Sequence, residues 1–230
     1  MSRAGDRTAA DPAALAGIAA AARDRHLSIL GGFHAGPEDA DTLPPGTGTL
    51  LLLGPDEPAF WHAFTASGPY ADGAPNPMDR WSRQLIGPLA AKLGGRALYP
   101  FGPQPFHPFF SWALRTGRIH ASPIRLLVHD RAGLMVSFRG ALALPGRVAL
   151  PPAPPSPCDS CADRPCLTAC PVDALNGKGY DVPRCTGFLA TPEGRDCMGR
   201  GCAARRACPV SQDFPRLDAQ SAFHMAHFVG

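Results

Sequence analysis

Residues 158–171 read Cys-Asp-Ser-Cys-Ala-Asp-Arg-Pro-Cys-Leu-Thr-Ala-Cys-Pro, and residues 197–209 read Cys-Met-Gly-Arg-Gly-Cys-Ala-Ala-Arg-Arg-Ala-Cys-Pro. Each stretch holds closely spaced cysteines and ends in Cys-Pro, and a further cysteine, Cys185, stands alone between them. All eight cysteines of the chain lie between Cys158 and Cys208. Such clustering, after 157 residues without a single cysteine, indicates a metal-binding module.

The spacing and number of these cysteines fit two [4Fe–4S] clusters, because each cluster needs four thiolate ligands. In two-cluster ferredoxins the cysteine that precedes proline ligates the cluster of the other motif. The two Cys-Pro steps therefore predict exchanged ligands, and no cysteine is left over. The predicted ligands of the first cluster are Cys158, Cys161, Cys166 and Cys208, and those of the second are Cys170, Cys185, Cys197 and Cys202.

A pair of zinc sites with four cysteine ligands each is the alternative. Zinc ribbons usually carry paired Cys-x2-Cys knuckles, and here only Cys158 and Cys161 have that spacing. Disulfides need an oxidising compartment, whereas Arg3, Asp6 and Arg7 interrupt any apolar leader segment. We therefore expect a cytoplasmic protein with reduced thiols, and the spacing favours iron–sulfur clusters over zinc.

The overall composition is that of a globular protein. Hydrophobic residues make up 45% of the 230, and the formal net charge of +3 gives no electrostatic drive toward nucleic acid or membrane surfaces. No apolar run approaches the ~20 residues of a membrane span. The expected partners are therefore soluble electron-donor and electron-acceptor proteins, with no nucleic acid and no membrane.

The chain divides by composition, and we predict an α+β fold in two units. The predicted parts are an α/β domain over residues 1–150, a stiff proline-rich linker over 151–157, a small two-cluster ferredoxin-like domain over 158–212 and a tail over 213–230.

Local patterns predict individual elements of the first domain. Residues 49–53 include a run of leucines without alternation, which predicts a strand buried on both faces. Residues 77–93 carry apolar side chains at every fourth position and precede Gly94-Gly95, which predicts a helix and its end. Residues 124–129 and 134–143 predict the two strands of a hairpin.

The sequence around the cysteines resembles the epoxyqueuosine reductase family. Residues 166–175 are similar to the family's Cys-Pro-x-x-Ala-Ile motif, residues 184–189 to the segment around its isolated cysteine, and residues 208–209 to its closing Cys-Pro. The predicted hairpin resembles, more loosely, the one that ends the family's cobalamin-binding domain. The resemblance implies the same exchange of cluster ligands, a nitroreductase-like fold for the N-terminal domain, and a bound cobalamin.

One departure from the family concerns its chemistry. The family uses an acidic residue as proton donor to its nucleoside substrate, but residues 99–104 (Tyr-Pro-Phe-Gly-Pro-Gln) contain no carboxylate. We therefore do not expect epoxyqueuosine reduction.

A segment rich in aromatic residues follows residues 99–104 in the chain. A corrinoid is one hypothesis for it, because a flat macrocycle needs apolar surroundings, and a plain aromatic core is the other. The predicted corrinoid-site residues are Phe106, His107, Phe109 and Trp112, and the candidate axial ligands or proton donors are His107, His120 and His129.

These features lead to one principal functional hypothesis and two alternatives. The principal one is an electron-transfer protein whose two [4Fe–4S] clusters deliver single electrons to a corrinoid or a partner enzyme. The alternatives are a cobalamin-dependent reductase of an organic substrate and a zinc-stabilised interaction protein. Basic residues among the ligands either offset the clusters' negative charge or lie on the solvated surface: Arg164, Lys178, Arg184, Arg195, Arg200, Arg205 and Arg206.

Overall fold

The computed structural model describes residues 12–229, so residues 1–11 and Gly230 lie outside the described part of the chain. The strands are β1 (Leu27–His34), β2 (Thr49–Pro55), β3 (Arg96–Leu98), β4 (Ile119–Ala121), β5 (Leu127–His129), β6 (Gly140–Leu144), β7 (Leu175–Asn176) and β8 (Gly179–Tyr180). The helices are α1 (Pro12–Arg23), α2 (Ala59–Thr65), α3 (Gly68–Ala71), α4 (Pro77–Lys92), α5 (Phe109–Arg115), α6 (Val182–Leu189), α7 (Arg195–Arg200), α8 (Ala203–Arg206), α9 (Pro209–Gln212) and α10 (Asp218–Val229).

A four-stranded antiparallel sheet in the order β1-β2-β6-β3 forms the centre of the N-terminal part. The leucines of β2, Leu50 to Leu53, are fully buried, which confirms the prediction of a strand covered on both faces. Leu51 and Leu53 pack toward α1, α2 and α4, whereas Leu50 and Leu52 pack toward α5. The fold is therefore mixed α/β, with helices on both faces of a small sheet.

The predicted helix after Asn76 is present as α4. Trp81 and Leu89 face the core, as the four-residue spacing predicted, and the chain leaves the helix at Gly94, whose φ of +68° suits a residue without a side chain. No helix within residues 12–229 is long and apolar enough to cross a membrane.

The predicted hairpin between residues 124–129 and 134–143 is wrong. β5 pairs with β4, and β6 lies in the central sheet, so that only His129 and Gly133 still form a bridge. The segment between them bonds to the C-terminal part instead. Leu134 N donates to Ser211 Oγ at 2.8 Å, and Leu134 O accepts from Arg205 at 2.9 Å.

The cysteine-rich segment shares an apolar core with the segment around β5. The proline-rich residues 151–156 have no regular secondary structure, but the chain on either side of them packs together. Ile124, Val128 and Leu134 contact Leu175 and Ala204, and all five are buried. The two parts therefore pack as one body around this shared apolar cluster.

Helix α10 packs across both parts of the chain. Its N-terminal half lies against α7, and Phe223 inserts its ring among aromatic side chains of the N-terminal part. The ring centroid of Phe223 lies 5.6 Å from that of Trp61, 5.4 Å from that of Phe64 and 6.4 Å from that of Tyr70. Such aromatic pairs add to the stabilisation from burial alone.

Phe223→Ala is expected to weaken the docking of α10 by about 3 kcal/mol, because it removes a large ring from a packed cluster. Amide hydrogen exchange in α10 is then expected to accelerate on the order of a hundredfold. Val229→Ala, on the same helix at a position that is 44% exposed, serves as the control and is expected to change little. Equal exchange rates in the two variants would contradict the role assigned to Phe223.

Candidate metal centres

The first group of thiols surrounds a cavity of about 190 Å³. Cys166 lies in a 3₁₀ turn (Pro165–Leu167), and Cys208 directly precedes α9. A short helix thus leads away from the predicted ligand, because proline suits the first turn of a helix. The cysteines that line this cavity are Cys158, Cys161, Cys166 and Cys208.

The second group surrounds a larger cavity of about 340 Å³. Cys185 lies on α6, whose start is capped because the Asp181 carboxylate accepts from Arg184 N at 3.0 Å. Cys197 lies on α7, and Pro171 opens a turn. The cysteines that line this cavity are Cys170, Cys185, Cys197 and Cys202.

The two cavities therefore collect the same two sets of four cysteines that the Cys-Pro spacing assigned to two clusters. Within residues 12–229 no group of three or more His, Cys, Asp or Glu side chains is arranged to hold a metal ion. Each set of thiols instead encloses a space. A donor set of four thiols around a cavity has the chemistry that a [4Fe–4S] cluster requires.

Burial disfavours the thiolate form of cysteines in both groups when no metal is bound. Burial raises the pKa of Cys158 above its ordinary value of 9.0, and the neighbouring Cys166 and Cys208 raise it further. Burial likewise raises the pKa of Cys185, and the neighbouring Cys202 and Cys170 raise this pKa further. Four thiolates so close together require a cation between them, because a bound metal deprotonates its thiol ligands.

Two hydrogen bonds to sulfur were not predicted. Ala174 N donates to Cys170 Sγ at 3.3 Å, and the Tyr180 hydroxyl donates to Cys185 Sγ at 3.4 Å. Burial raises the pKa of Tyr180, and the hydrogen bond to Cys185 is the second cause. The phenol therefore keeps its proton. Donors to cluster thiolates stabilise their negative charge and raise the reduction potential.

Polar atoms without a partner also face the second cavity. Ser137, Arg216 and His224 border it, and Ser137 Oγ, Arg216 Nε and His224 Nε2 are buried without a hydrogen bond. Burial lowers the pKa of His224 to about 3, and the positive charge of Arg216 is the second cause. The His224 ring is therefore neutral. Unpaired donors around a cavity fit an anionic group, such as a cluster with four thiolates.

Few of the predicted basic residues reach the thiols. Arg164 borders the first cavity and Arg205 the second. Arg206 pairs with Asp196, and Arg200 pairs with Asp196 and with Asp218. Arg216 was not among the predicted basic residues, because it stands eight residues beyond the last cysteine.

A third and larger cavity, of about 910 Å³, adjoins the first thiol cavity. Pro209 and Val210, which follow Cys208, border both. The other walls of this large cavity are α1, the edge strand β1 and the turn after β5. An ion pair of Arg118 and Asp130, 2.6 Å apart, lies on its wall. The sequence did not predict this cavity, because its walls come from distant parts of the chain.

The predicted corrinoid-site residues do not form one cavity. Phe109 and Trp112 lie in the core, whereas Phe106 is 58% exposed and His107 stacks on Trp112 from the surface side. In the described part of the chain, neither the thiol cavities nor the large cavity is lined by any of these four. They separate because Phe109 and Trp112 lie on the buried face of α5, whereas Phe106 and His107 belong to the exposed segment that precedes this helix.

The candidate histidines are also placed differently from the prediction. Both ring nitrogens of the buried His129 are occupied: Nε2 lies 2.8 Å from Leu30 O, and Nδ1 accepts from Arg131 N and Ala132 N. His129 therefore holds the chain in place and is not available as an axial ligand. His120 Nε2 is buried without a partner, but His120 borders none of the three cavities in the described part of the chain.

In the metal-free protein, Cys158 and Cys185 are expected to react with iodoacetamide more slowly at pH 7 than cysteines of the urea-unfolded chain. Their raised pKa values leave less thiolate, so the rates are expected to keep rising above about pH 9. Mass spectrometry of timed samples measures each site. Rates that level off below about pH 8 would show that the thiol pKa values are lowered instead.

Comparisons of the chain with protein-family models, curated proteins and solved structures found no match.

Proposed function

We propose that the chain is an electron-transfer protein that carries two [4Fe–4S] clusters. The observation that carries this proposal is the grouping of the eight thiols: the chain's folding collects the same two sets of four that ligand exchange requires. A bound [4Fe–4S] cluster supplies one-electron redox chemistry.

The protein's own residues hold and shield these sites. Ile124, Leu175 and Ala204 are buried in the apolar cluster that contacts cysteines of both groups, so they exclude water from the space between them. Ala174 N and the Tyr180 hydroxyl orient sulfur atoms of the second group. A dry, fixed surrounding of this kind is how a protein tunes an electron carrier.

Anaerobic purification with metal analysis tests the proposal. The protein is expected to be brown, with an absorbance shoulder near ~400 nm that dithionite bleaches, and to hold about eight irons per chain. A colourless protein with two zinc ions would support the zinc-stabilised interaction protein and overturn the proposal.

Ligand exchange gives a sharper test, because a cluster that lacks one of its four thiolate ligands is expected to be lost. Cys170→Ser and Cys208→Ser are each expected to lower the iron content from about eight to about four. Cys170→Ser with Cys185→Ser is expected to leave about four, because both residues serve one cluster. Cys170→Ser with Cys208→Ser is expected to leave none, although two unexchanged motifs would give the same result for that pair.

The pair Cys170→Ser with Cys166→Ser separates the two arrangements. With exchanged ligands these neighbours serve different clusters, so the iron is lost completely, whereas with unexchanged ligands about four irons remain. A result of about four irons for this pair would overturn the ligand sets proposed above.

A second candidate function is reduction of a molecule bound beside the first cluster. The observation that favours it is the large cavity, because Pro209 and Val210 border both this cavity and the first thiol cavity. Its volume lies at the upper end of the range of ligand sites. We propose this cavity, and not the aromatic segment, as the site for a corrinoid acceptor or an organic substrate.

Ala19→Trp tests that site, since Ala19 on α1 borders the large cavity and lies far along the chain from the cysteines. Cobalamin is expected to bind the dithionite-reduced wild type and to bind Ala19→Trp at least tenfold more weakly, as followed by the corrin absorbance. Ala20→Trp, at the next and exposed position, is the matched control. Absence of wild-type binding at high micromolar cobalamin would rule out the corrinoid acceptor, and equal binding by both variants would rule out this cavity.

A further inference from the structure

A buried ion pair connects the loop between β2 and α2 to the segment before α10. The Glu57 side chain is wholly buried and that of Arg216 is 8% exposed, with 4.0 Å between Arg216 Nη1 and Glu57 Oε1. Gln220 Nε2 donates to the same oxygen at 2.6 Å. Glu57 Oε2 has no hydrogen-bond partner, so this oxygen is available to carry a proton.

Arg216 links this pair to the second thiol cavity. Its side chain borders that cavity, Nη1 donates to Met135 O at 3.3 Å, and Nε is buried without a partner. Burial lowers the pKa of Arg216 to about 10, against the attraction of Glu57, so the guanidinium is charged at neutral pH. One positive charge therefore contacts a buried carboxylate and also faces the space enclosed by Cys170, Cys185, Cys197 and Cys202.

We propose that the Glu57–Arg216 pair sets the reduction potential of the cluster held by the second thiol group, and that Glu57 takes up a proton when that cluster is reduced. This inference rests on the proposed function, since it requires a cluster at that site. In the balanced step, one electron comes from a soluble one-electron donor and one proton comes from water. An O–H bond of the solvent donor breaks as the O–H bond at Glu57 forms, and no other bond changes.

The sign of the effect follows from Coulomb attraction. Ionised Glu57 offsets the charge of Arg216, and protonated Glu57 leaves that charge to stabilise the added electron. Burial raises the pKa of Glu57 to about 6, so its charge changes close to neutral pH. The groups that face Glu57 are Arg216, Gln220 and Asp56, and the further charges that act on Arg216 are those of Arg205 and Arg139.

The test measures the midpoint potentials of both clusters in the full-length, cluster-loaded protein by redox titration followed by electron paramagnetic resonance. Arg216→Met is expected to lower the potential of one cluster, and Glu57→Gln is expected to raise the potential of the same cluster. The other cluster is the internal reference and is expected not to move. Arg216→Lys keeps the charge and is expected to stay closer to wild type than Arg216→Met.

The dependence on pH separates a charge effect from a packing effect. Between about pH 5 and pH 8, the wild-type potential of the responding cluster is expected to fall as pH rises, and Glu57→Gln is expected to abolish that slope. Shifts of the same sign in Glu57→Gln and Arg216→Met, or a slope that survives Glu57→Gln, would overturn the inference. A wild type without reducible clusters would instead overturn the proposed function.

Discussion

The exchange of one cysteine between two stretches of chain is the constraint on which the rest of the C-terminal part depends. Cys170 leaves its neighbours to join Cys185, Cys197 and Cys202, and Cys208 returns to the first group. Neither set of four is complete until residues 158–208 are folded as a whole. The chain must therefore bring both stretches together, and it does so around buried Ala204 and Leu175.

The packing of these two stretches explains why residues 124–143 do not form the predicted hairpin. A residue with a side chain at Gly133 would place Cβ 2.5 Å from Ser211 N, so the two backbones meet there closely. Leu134 then uses its N–H and C=O on Ser211 and Arg205, and not on a neighbouring strand. The strand pattern of residues 134–143 survives only as β6, because burial in the central sheet outweighs the local turn signal.

The sequence could predict features that depend on neighbours in the chain. The leucines of β2, the glycine stop after α4 and the grouping of cysteines all follow from spacing, composition or ligand number. Contacts between residues far apart in the chain could not be predicted from the sequence. Glu57 meets Arg216 across most of the chain, and the large cavity is walled by α1, β1 and the residues after Cys208. The role predicted for His129 was wrong because its hydrogen bonds to three backbone groups leave no mark in the sequence.

The two thiol groups differ in surroundings, and the difference bears on the direction of electron flow. The second group receives a bond from Tyr180 and faces Arg205, Arg216 and His224, and such donors and charges raise a cluster's potential. The first group faces one arginine, Arg164, in the described part of the chain, and adjoins the large cavity. Under the proposed function, the second site is then the easier to reduce and retains its electron. The first site is the stronger reductant, and it lies where an acceptor in the large cavity would need one.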